Sequence, residues 1–166
     1  MITVERLREV LDYDPDSGIF RWKMSFGSRS KIGAVAGNPG GGNNPERKYW
    51  RIGIDGHRYY AHRLAWFYTY DEWPEQIDHV DLNRWNNSIS NLRIATDAQN
   101  QWNRTKDRKN TSGFKGVRKH KSCNTFSARF TIGKVTRHLG CFKTAEEAHQ
   151  AYLNAAKTYY GEFARG

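Results

Sequence analysis

Apolar positions recur with helical spacing at Val4, Leu7, Val10 and Leu11, directly after Thr3, and predict a short helix capped by that threonine. Asp14-Pro15-Asp16-Ser17-Gly18 concentrates turn formers, and a strand is predicted behind it over 19–23. Residues 37–45 are all Gly, Asn or Pro; they lack the Gly-Lys-Ser/Thr ending of a phosphate loop and read as a surface loop. Strands over 49–54 and 57–61 flank Asp55-Gly56, a hairpin signal. A helix over 62–70 is expected to stop before Pro74. Ile77-Asp78-His79-Val80 then reads as a strand, followed by an Asn-rich loop through Asn86-Asn87 and a short strand over 92–94. Thr96 and Gln99 make a capping box, so a helix begins at Asp97 and runs to about Trp102.

A second pattern starts after the polar, aperiodic stretch 104–111, which reads as a basic linker. Strands are expected over 114–118, 126–132 and 136–142. The middle one alternates: Phe126, Ala128, Phe130 and Ile132 face one way, and Ser127, Arg129 and Thr131 the other. Thr144 and Glu147 form a second capping box. The helix they open carries Ala148, Ala151, Tyr152, Ala155, Ala156 and Tyr159 on one face, and Gly161 can end it. Three strands and one amphipathic helix make a small sheet-on-helix sandwich whose polar sheet face is left open.

Charge changes the picture. Residues 1–103 carry 13 Lys+Arg and 13 Asp+Glu, whereas residues 104–166 carry 14 and 4, so the whole formal charge of +10 lies in the second part. A generally basic surface would not divide this way, which points to a segment for a polyanion, most commonly nucleic acid. Two cysteines exclude a disulfide framework and fit a reducing compartment. The longest wholly apolar run, Leu64 to Tyr68, is too short for a membrane span, and a cytoplasmic protein is expected.

The candidate chemistry lies in the first part. Asp78 and His79 are adjacent, with Asn91 and Asn100 following across a strand, loop, strand and capped helix. Such a hairpin and helix can bring Asp78 close to Asn100. A carboxylate oxygen and an amide oxygen are hard ligands that suit Mg²⁺ or Mn²⁺ over zinc. His79 would then be a general base, since an imidazole titrates near neutrality. An Asp-His pair is common, however, and Asn-rich loops are usually turns.

The fuller string is His62-Arg63-Leu64-Ala65-Trp66, Trp73-Pro74, Ile77-Asp78-His79-Val80-Asp81, Asn86-Asn87, Ser90-Asn91-Leu92-Arg93, Ala95-Thr96 and Asn100. It resembles the HNH endonucleases, in particular their phage and homing branch, over about residues 50–103. The resemblance implies His79 as general base, Asp78 and Asn100 as ligands of one divalent ion (Mg²⁺, with Mn²⁺ also suitable), and Asn91 as the brace of the loop holding the base. The last position is often His in the family, and Asn100 here fits Mg²⁺ better than a tightly held transition metal. It further implies hydrolysis of DNA phosphodiesters to 5′-phosphate and 3′-hydroxyl ends, and a host bacterial cytoplasm if the chain is phage-encoded. His57 and His62 read as structural. Trp50, Trp66, Trp73, Trp85 and Trp102 read as core, although Trp85 could touch DNA.

In the second part, Ser112-Gly113-Phe114-Lys115-Gly116-Val117-Arg118, Phe126-Ser127-Ala128-Arg129, His138-Leu139-Gly140-Cys141-Phe142, Thr144-Ala145-Glu146-Glu147-Ala148 and Gly161-Glu162-Phe163-Ala164-Arg165 resemble the apetala/ethylene-response-factor-type DNA-binding domain. That family lays its sheet in the major groove of double-stranded DNA. The resemblance implies Lys115, Arg118, His120, Arg129, Thr131, Thr136 and His138 as DNA-facing. His138 stands where the plant domains usually have Trp, and Arg129 where they have an acidic residue, so their target sequence does not transfer. Arg137, Lys119, Lys121 and Lys134 read equally as phosphate contacts or solvated surface.

A rival reading takes His120-x-x-Cys123 and His138-x-x-Cys141 as a zinc site. Against it, His138 and Cys141 are an odd number apart on one expected strand, which points them to opposite faces and puts Cys141 on the core side with Leu139. The expected protein is therefore α+β: a ββα-metal nuclease domain over 1–103, the linker 104–111, and over 112–166 a three-stranded antiparallel sheet packed on one helix. The alternatives are a DNA-binding regulator with an inactive nuclease half, and an RNA-processing or toxin-type nuclease.

Overall fold

The computed structural model describes residues 2–27, 30–40, 48–107, 109–133 and 135–165. Lys134 and residues 41–45 of the Gly/Asn/Pro stretch lie outside them. The chain is a mixture of helices and small antiparallel sheets, and it divides into two compact units, 1–95 and 96–166.

In the first unit Thr3 accepts from the Arg6 N–H and caps α1 (Val4–Val10). Leu11 leaves the helix and opens β1 (Leu11–Asp14), which the apolar spacing alone assigns to the helix. β1 pairs with β2 (Ile19–Trp22) across the turn at Asp14–Gly18, where the Asp14 carboxylate accepts from Asp16 N–H and from the Ser17 hydroxyl. A second sheet runs β3 (Asn38–Gly40), β4 (Tyr49–Ile54) and β5 (His57–Tyr60) in that order. Asp55 and Gly56 both have positive φ, the backbone that a two-residue hairpin demands. α2 (Ala61–Tyr70) follows and ends on Asp71 in the left-handed region. β6 (Ile77–His79) and β7 (Leu92–Ile94) form a two-stranded antiparallel ladder. Leu7, Leu11, Phe20, Ile52 and Leu64 are fully buried in one core, with Trp50, Trp66 and Trp73 packed against it. Trp85, expected in the core, is 51% exposed instead, because its indole N–H already finds the Lys48 carbonyl at the rim.

The β1–β2 turn buttresses the Asn-rich loop between β6 and β7. The Tyr13 hydroxyl donates to the Asn87 carbonyl at 2.7 Å, and the Ile89 N–H donates to the Pro15 carbonyl at 2.9 Å. Gly18 has φ +71°, and a Cβ there would sit 2.2 Å from the backbone of both Asn87 and Ser88.

The second unit opens with α3 (Asp97–Asn103), capped by the Thr96/Gln99 box. Trp102 on this helix stacks on Tyr160 at 4.5 Å. β8 (Val117–Lys119), β9 (Phe126–Ile132) and β10 (Val135–Phe142) form an antiparallel sheet with β9 in the centre. α4 (Ala145–Tyr160) packs behind it through Ala148, Tyr152, Ala156 and Tyr160. The expected face residue Tyr159 is half exposed and stacks on the Phe130 ring at 5.0 Å; Tyr160 takes the buried place and donates to the Thr131 carbonyl.

Strand β10 corrects the face assignment of Cys141. His138 pairs with Arg129 but Gly140 pairs with Ala128, so Leu139 is an extra residue in a β-bulge. The bulge inverts the alternation beyond it. Cys141 pairs with Ser127, shares a face with His138, and is exposed rather than on the core side.

Gly18→Ala combines a disfavoured backbone region with a backbone clash. A urea melt of this variant is expected to show about 2–4 kcal/mol of destabilisation, whereas Gly56→Ala, with nothing within 4 Å of its Cβ, loses less.

Candidate functional site

The β6–β7 ladder sets Asp78 directly opposite Arg93 and His79 opposite Leu92. Arg93 donates from Nε at 3.0 Å and from Nη2 at 2.8 Å to the same oxygen, Oδ2, of Asp78. Both residues are largely withdrawn from solvent, with side chains 7% and 14% exposed, so the pair is a partly buried, charge-assisted contact that fixes the carboxylate. Arg93 was not singled out in the sequence; the signal available was its cross-strand register with Asp78, which needs the pairing to be known.

His79 is buried, and its Nε2 lies 3.3 Å from Asn87 Oδ1. The Asn87 amide nitrogen donates to the Trp85 carbonyl, which orients the amide with its oxygen toward the ring. His79 Nε2 therefore carries the proton and Nδ1 the lone pair. Burial lowers the pKa of His79, opposed by the Asn87 bond and the negative charges of Asp81 and Asp78, so the imidazole is neutral near pH 7.

Asn91 braces the loop between β6 and β7. Its Oδ1 accepts from the Asp81 N–H at 3.0 Å, and its Nδ2 donates to Asp81 Oδ1 at 2.9 Å and to the Asn86 carbonyl at 2.8 Å. Asp81 also accepts from the Asn86 side chain and the Asn83 N–H. Burial pushes its carboxyl up, but these bonds outweigh it and hold the pKa below the usual range.

His62, on the first turn of α2, joins this centre. Its ring lies 5.1 Å from that of His79 and stacks on Tyr60 at 5.5 Å. Its Nδ1 is buried with no hydrogen-bond partner among the described residues. Burial, then the neighbouring His79 and Arg63, push its pKa down to about 3. Tyr49 touches both rings, and Arg84 lies over Tyr49 at 4.8 Å. Asn100 lies on α3, in the second unit, where its N–H donates to the Thr96 carbonyl.

Among the described residues, no three imidazole, thiol or carboxylate groups converge as a metal shell. A carboxylate with one amide oxygen nevertheless suits Mg²⁺, which keeps most of its waters and takes one or two protein oxygens plus a substrate phosphate. The Asp78 carboxylate is a donor of that kind.

In the second unit, register puts Arg118, His120, Ser127, Arg129, Thr131, Thr136, His138 and Cys141 on the sheet face away from α4. Thr131 and Thr136 meet through their hydroxyls at 3.0 Å. Lys115 departs from the expectation: it precedes β8, its Nζ donates to the Trp102 carbonyl and sits over the Tyr152 ring, and burial pulls its pKa down to about 8. Arg137 and Lys119 pair opposite Phe130 and Phe126, on the side of the sheet that carries the helix. No helix among the described residues is long and apolar enough to cross a membrane.

Residues 59–102 match the family described as HNH endonuclease. The chain is 40% identical over 88 residues to a protein of Acanthamoeba polyphaga mimivirus named an uncharacterized HNH endonuclease, covering 53% of this chain and 44% of that one. It is 46% identical over 41 residues to Protein 3.8 of Escherichia phage T7, covering 25% of this chain and 34% of that one. The chain thus spans less than half the length of these relatives. No solved structure matches it. The residues that match this family run from β5 into α3 and include Asp78 and His79.

His62 makes stability depend on pH. Its folded pKa of about 3 lies below the ordinary 6.5, so the unfolded chain takes up the proton first. The contribution is full above about pH 6.5 and is lost as the pH falls toward about 3. Between about pH 8 and pH 5 His62 alone is expected to withdraw about 2 kcal/mol of unfolding free energy. His62→Phe, compared by urea melts at the two pH values, should show a correspondingly shallower loss.

Proposed function

We propose that this chain is a metal-dependent DNA endonuclease, cutting with its first unit and directed to double-stranded DNA by its second. The observation that carries the reading is His79: a buried, neutral imidazole, held in one tautomer by Asn87 and set beside a carboxylate that Arg93 fixes. That arrangement suits a general base. A water beside the imidazole loses its proton to His79 as it attacks the scissile phosphorus, in line with the departing 3′ oxygen. The resulting imidazolium is stabilised by the Asn87 oxygen and by the nearby charges of Asp81 and Asp78. Asp78 would be a ligand of the divalent ion, and the resemblance to the HNH endonucleases implies Asn100 as another. When bound, such an ion neutralises charge developing on the phosphate and on the leaving oxygen. Asn91 and Asp81 keep the loop rigid, so that the base does not drift from the water.

The second unit supplies affinity in this reading. The formal charge of +10 lies entirely in residues 104–166, and Arg118, Arg129, Thr131, Thr136, His120 and His138 share one sheet face. That face follows the apetala/ethylene-response-factor-type resemblance. Lys115 is left out of the contact set, because its ammonium is turned to Trp102 and Tyr152.

Supercoiled plasmid in Mg²⁺ is expected to be nicked or linearised, with no cutting in EDTA. His79→Ala should slow cutting by about 10²–10⁴-fold while leaving DNA affinity nearly intact, as expected for a general base. Equal losses in cutting and binding would make His79 structural. Tight binding with no cutting on any DNA would leave a DNA-binding regulator.

Binding titrations over a range of salt test the second unit. Arg118→Ala and Arg129→Ala should each weaken binding and reduce the slope of log K against log salt by about 1 where the arginine contacts phosphate. An unchanged slope and affinity in both would place the DNA surface elsewhere.

A further inference from the structure

The bulge at Leu139 brings a thiol between two histidines on the sheet face that the proposed function gives to DNA. The Cys141 sulfur lies 3.6 Å from His120 Nε2 and 3.7 Å from His138 Nε2. His120 meets His138 and Cys141, which are three residues apart on β10, because His120 pairs beyond β8 with Thr125, Cys141 pairs with Ser127, and His138 pairs with Arg129. Alternate residues of one strand share a face, so 125, 127 and 129 place all three side chains on one side of the sheet. Ser127, at the centre of that group, is only 3% exposed although the face is otherwise polar and open.

The distances have a specific meaning. With Zn–S of about 2.3 Å and Zn–N of about 2.0–2.1 Å, a tetrahedral ion holds its sulfur and each nitrogen about 3.6 Å apart. The two observed sulfur–nitrogen separations match that edge. One thiolate and two imidazoles form a borderline-soft set that selects zinc over Mg²⁺. As placed, no three such groups among the described residues could hold a metal ion, so zinc binding here requires the side chains to move. The two rings lie on an open face, His138 exposed and His120 half-buried, and zinc would turn them toward one point.

We propose that His120, His138 and Cys141 form a zinc site on the open face of the second-unit sheet, with water in the fourth position. Binding releases the thiol proton to solvent and leaves the sulfur as a thiolate ligand. The ion clasps the end of β8 to β10 across the central strand, so occupancy stabilises the sheet. Cys123 is not a ligand: its sulfur contacts the Thr125 hydroxyl at 2.9 Å on the connecting loop.

The full chain, stripped with EDTA, can be titrated with Co²⁺ as a spectroscopic stand-in for zinc. A thiolate on Co²⁺ produces a near-ultraviolet charge-transfer band that the oxygen donors of the nuclease centre cannot. The band should saturate at one equivalent, be displaced by Zn²⁺, and be lost in Cys141→Ser. It should persist in Cys123→Ser and in His79→Ala, and weaken in His120→Asn and His138→Asn. Alkylation of the unaltered chain needs no variant: Zn²⁺ should protect Cys141 and leave Cys123 reactive. The absence of the band, its persistence in Cys141→Ser, or equal alkylation of both cysteines with and without Zn²⁺ would overturn the proposal. None of these results depends on whether the chain cuts DNA.

Discussion

The candidate site depends on one buried polar clamp, the Asn91 side chain closed on Asp81 and Asn86. Inside a protein an amide without partners costs more than a hydrogen bond returns, so such a clamp is stable only when every polar group is satisfied. Here the Asn91 oxygen takes a backbone N–H, and its nitrogen serves both a carboxylate and a carbonyl. The loop between β6 and β7 is thereby held to one conformation without an apolar core of its own. Everything chemical follows from that: Asn87 is presented to His79, and the imidazole is fixed in tautomer and direction.

The N-terminal hairpin acts on the same loop from outside. Its turn at Asp14–Gly18 lies against Asn87 and Ser88 so closely that only a glycine fits. Tyr13 adds a buried hydroxyl bond to the Asn87 carbonyl and stacks on Phe20 within the core. The hydrophobic core of the first unit and the placement of His79 are therefore linked through one short turn. Desolvation by the same packing keeps His79 and His62 neutral, a state useful to a base and costly in acid.

The second unit solves a different problem. A three-stranded sheet is stable only with its apolar face covered, and α4 covers it with small residues that let helix and strands approach. Gly116 shows how closely: a Cβ there would lie 2.1 Å from the Tyr152 ring. The other face stays polar, rich in arginine, threonine and histidine, and available to a partner. The bulge at Leu139 changes which side chains that face carries.

Local signals carried much of this. Both capping boxes, the Asp55-Gly56 hairpin, the strand over 126–132 and the amphipathic face of α4 were legible, because caps, turns and alternation are set by neighbours a few residues away. The Asp78–His79 pair and the later asparagines stood out as candidate chemistry only through the resemblance of the longer string that contains them. What only the tertiary structure decided was long-range register: Arg93 opposite Asp78, Asn87 on the His79 ring, His62 against it, Lys115 turned inward and Cys141 turned out. Each depends on a pairing between distant strands or on one inserted residue in a ladder. Such pairings are settled by the packing of the whole unit, and a single bulge reverses every face beyond it without leaving a mark in the periodicity.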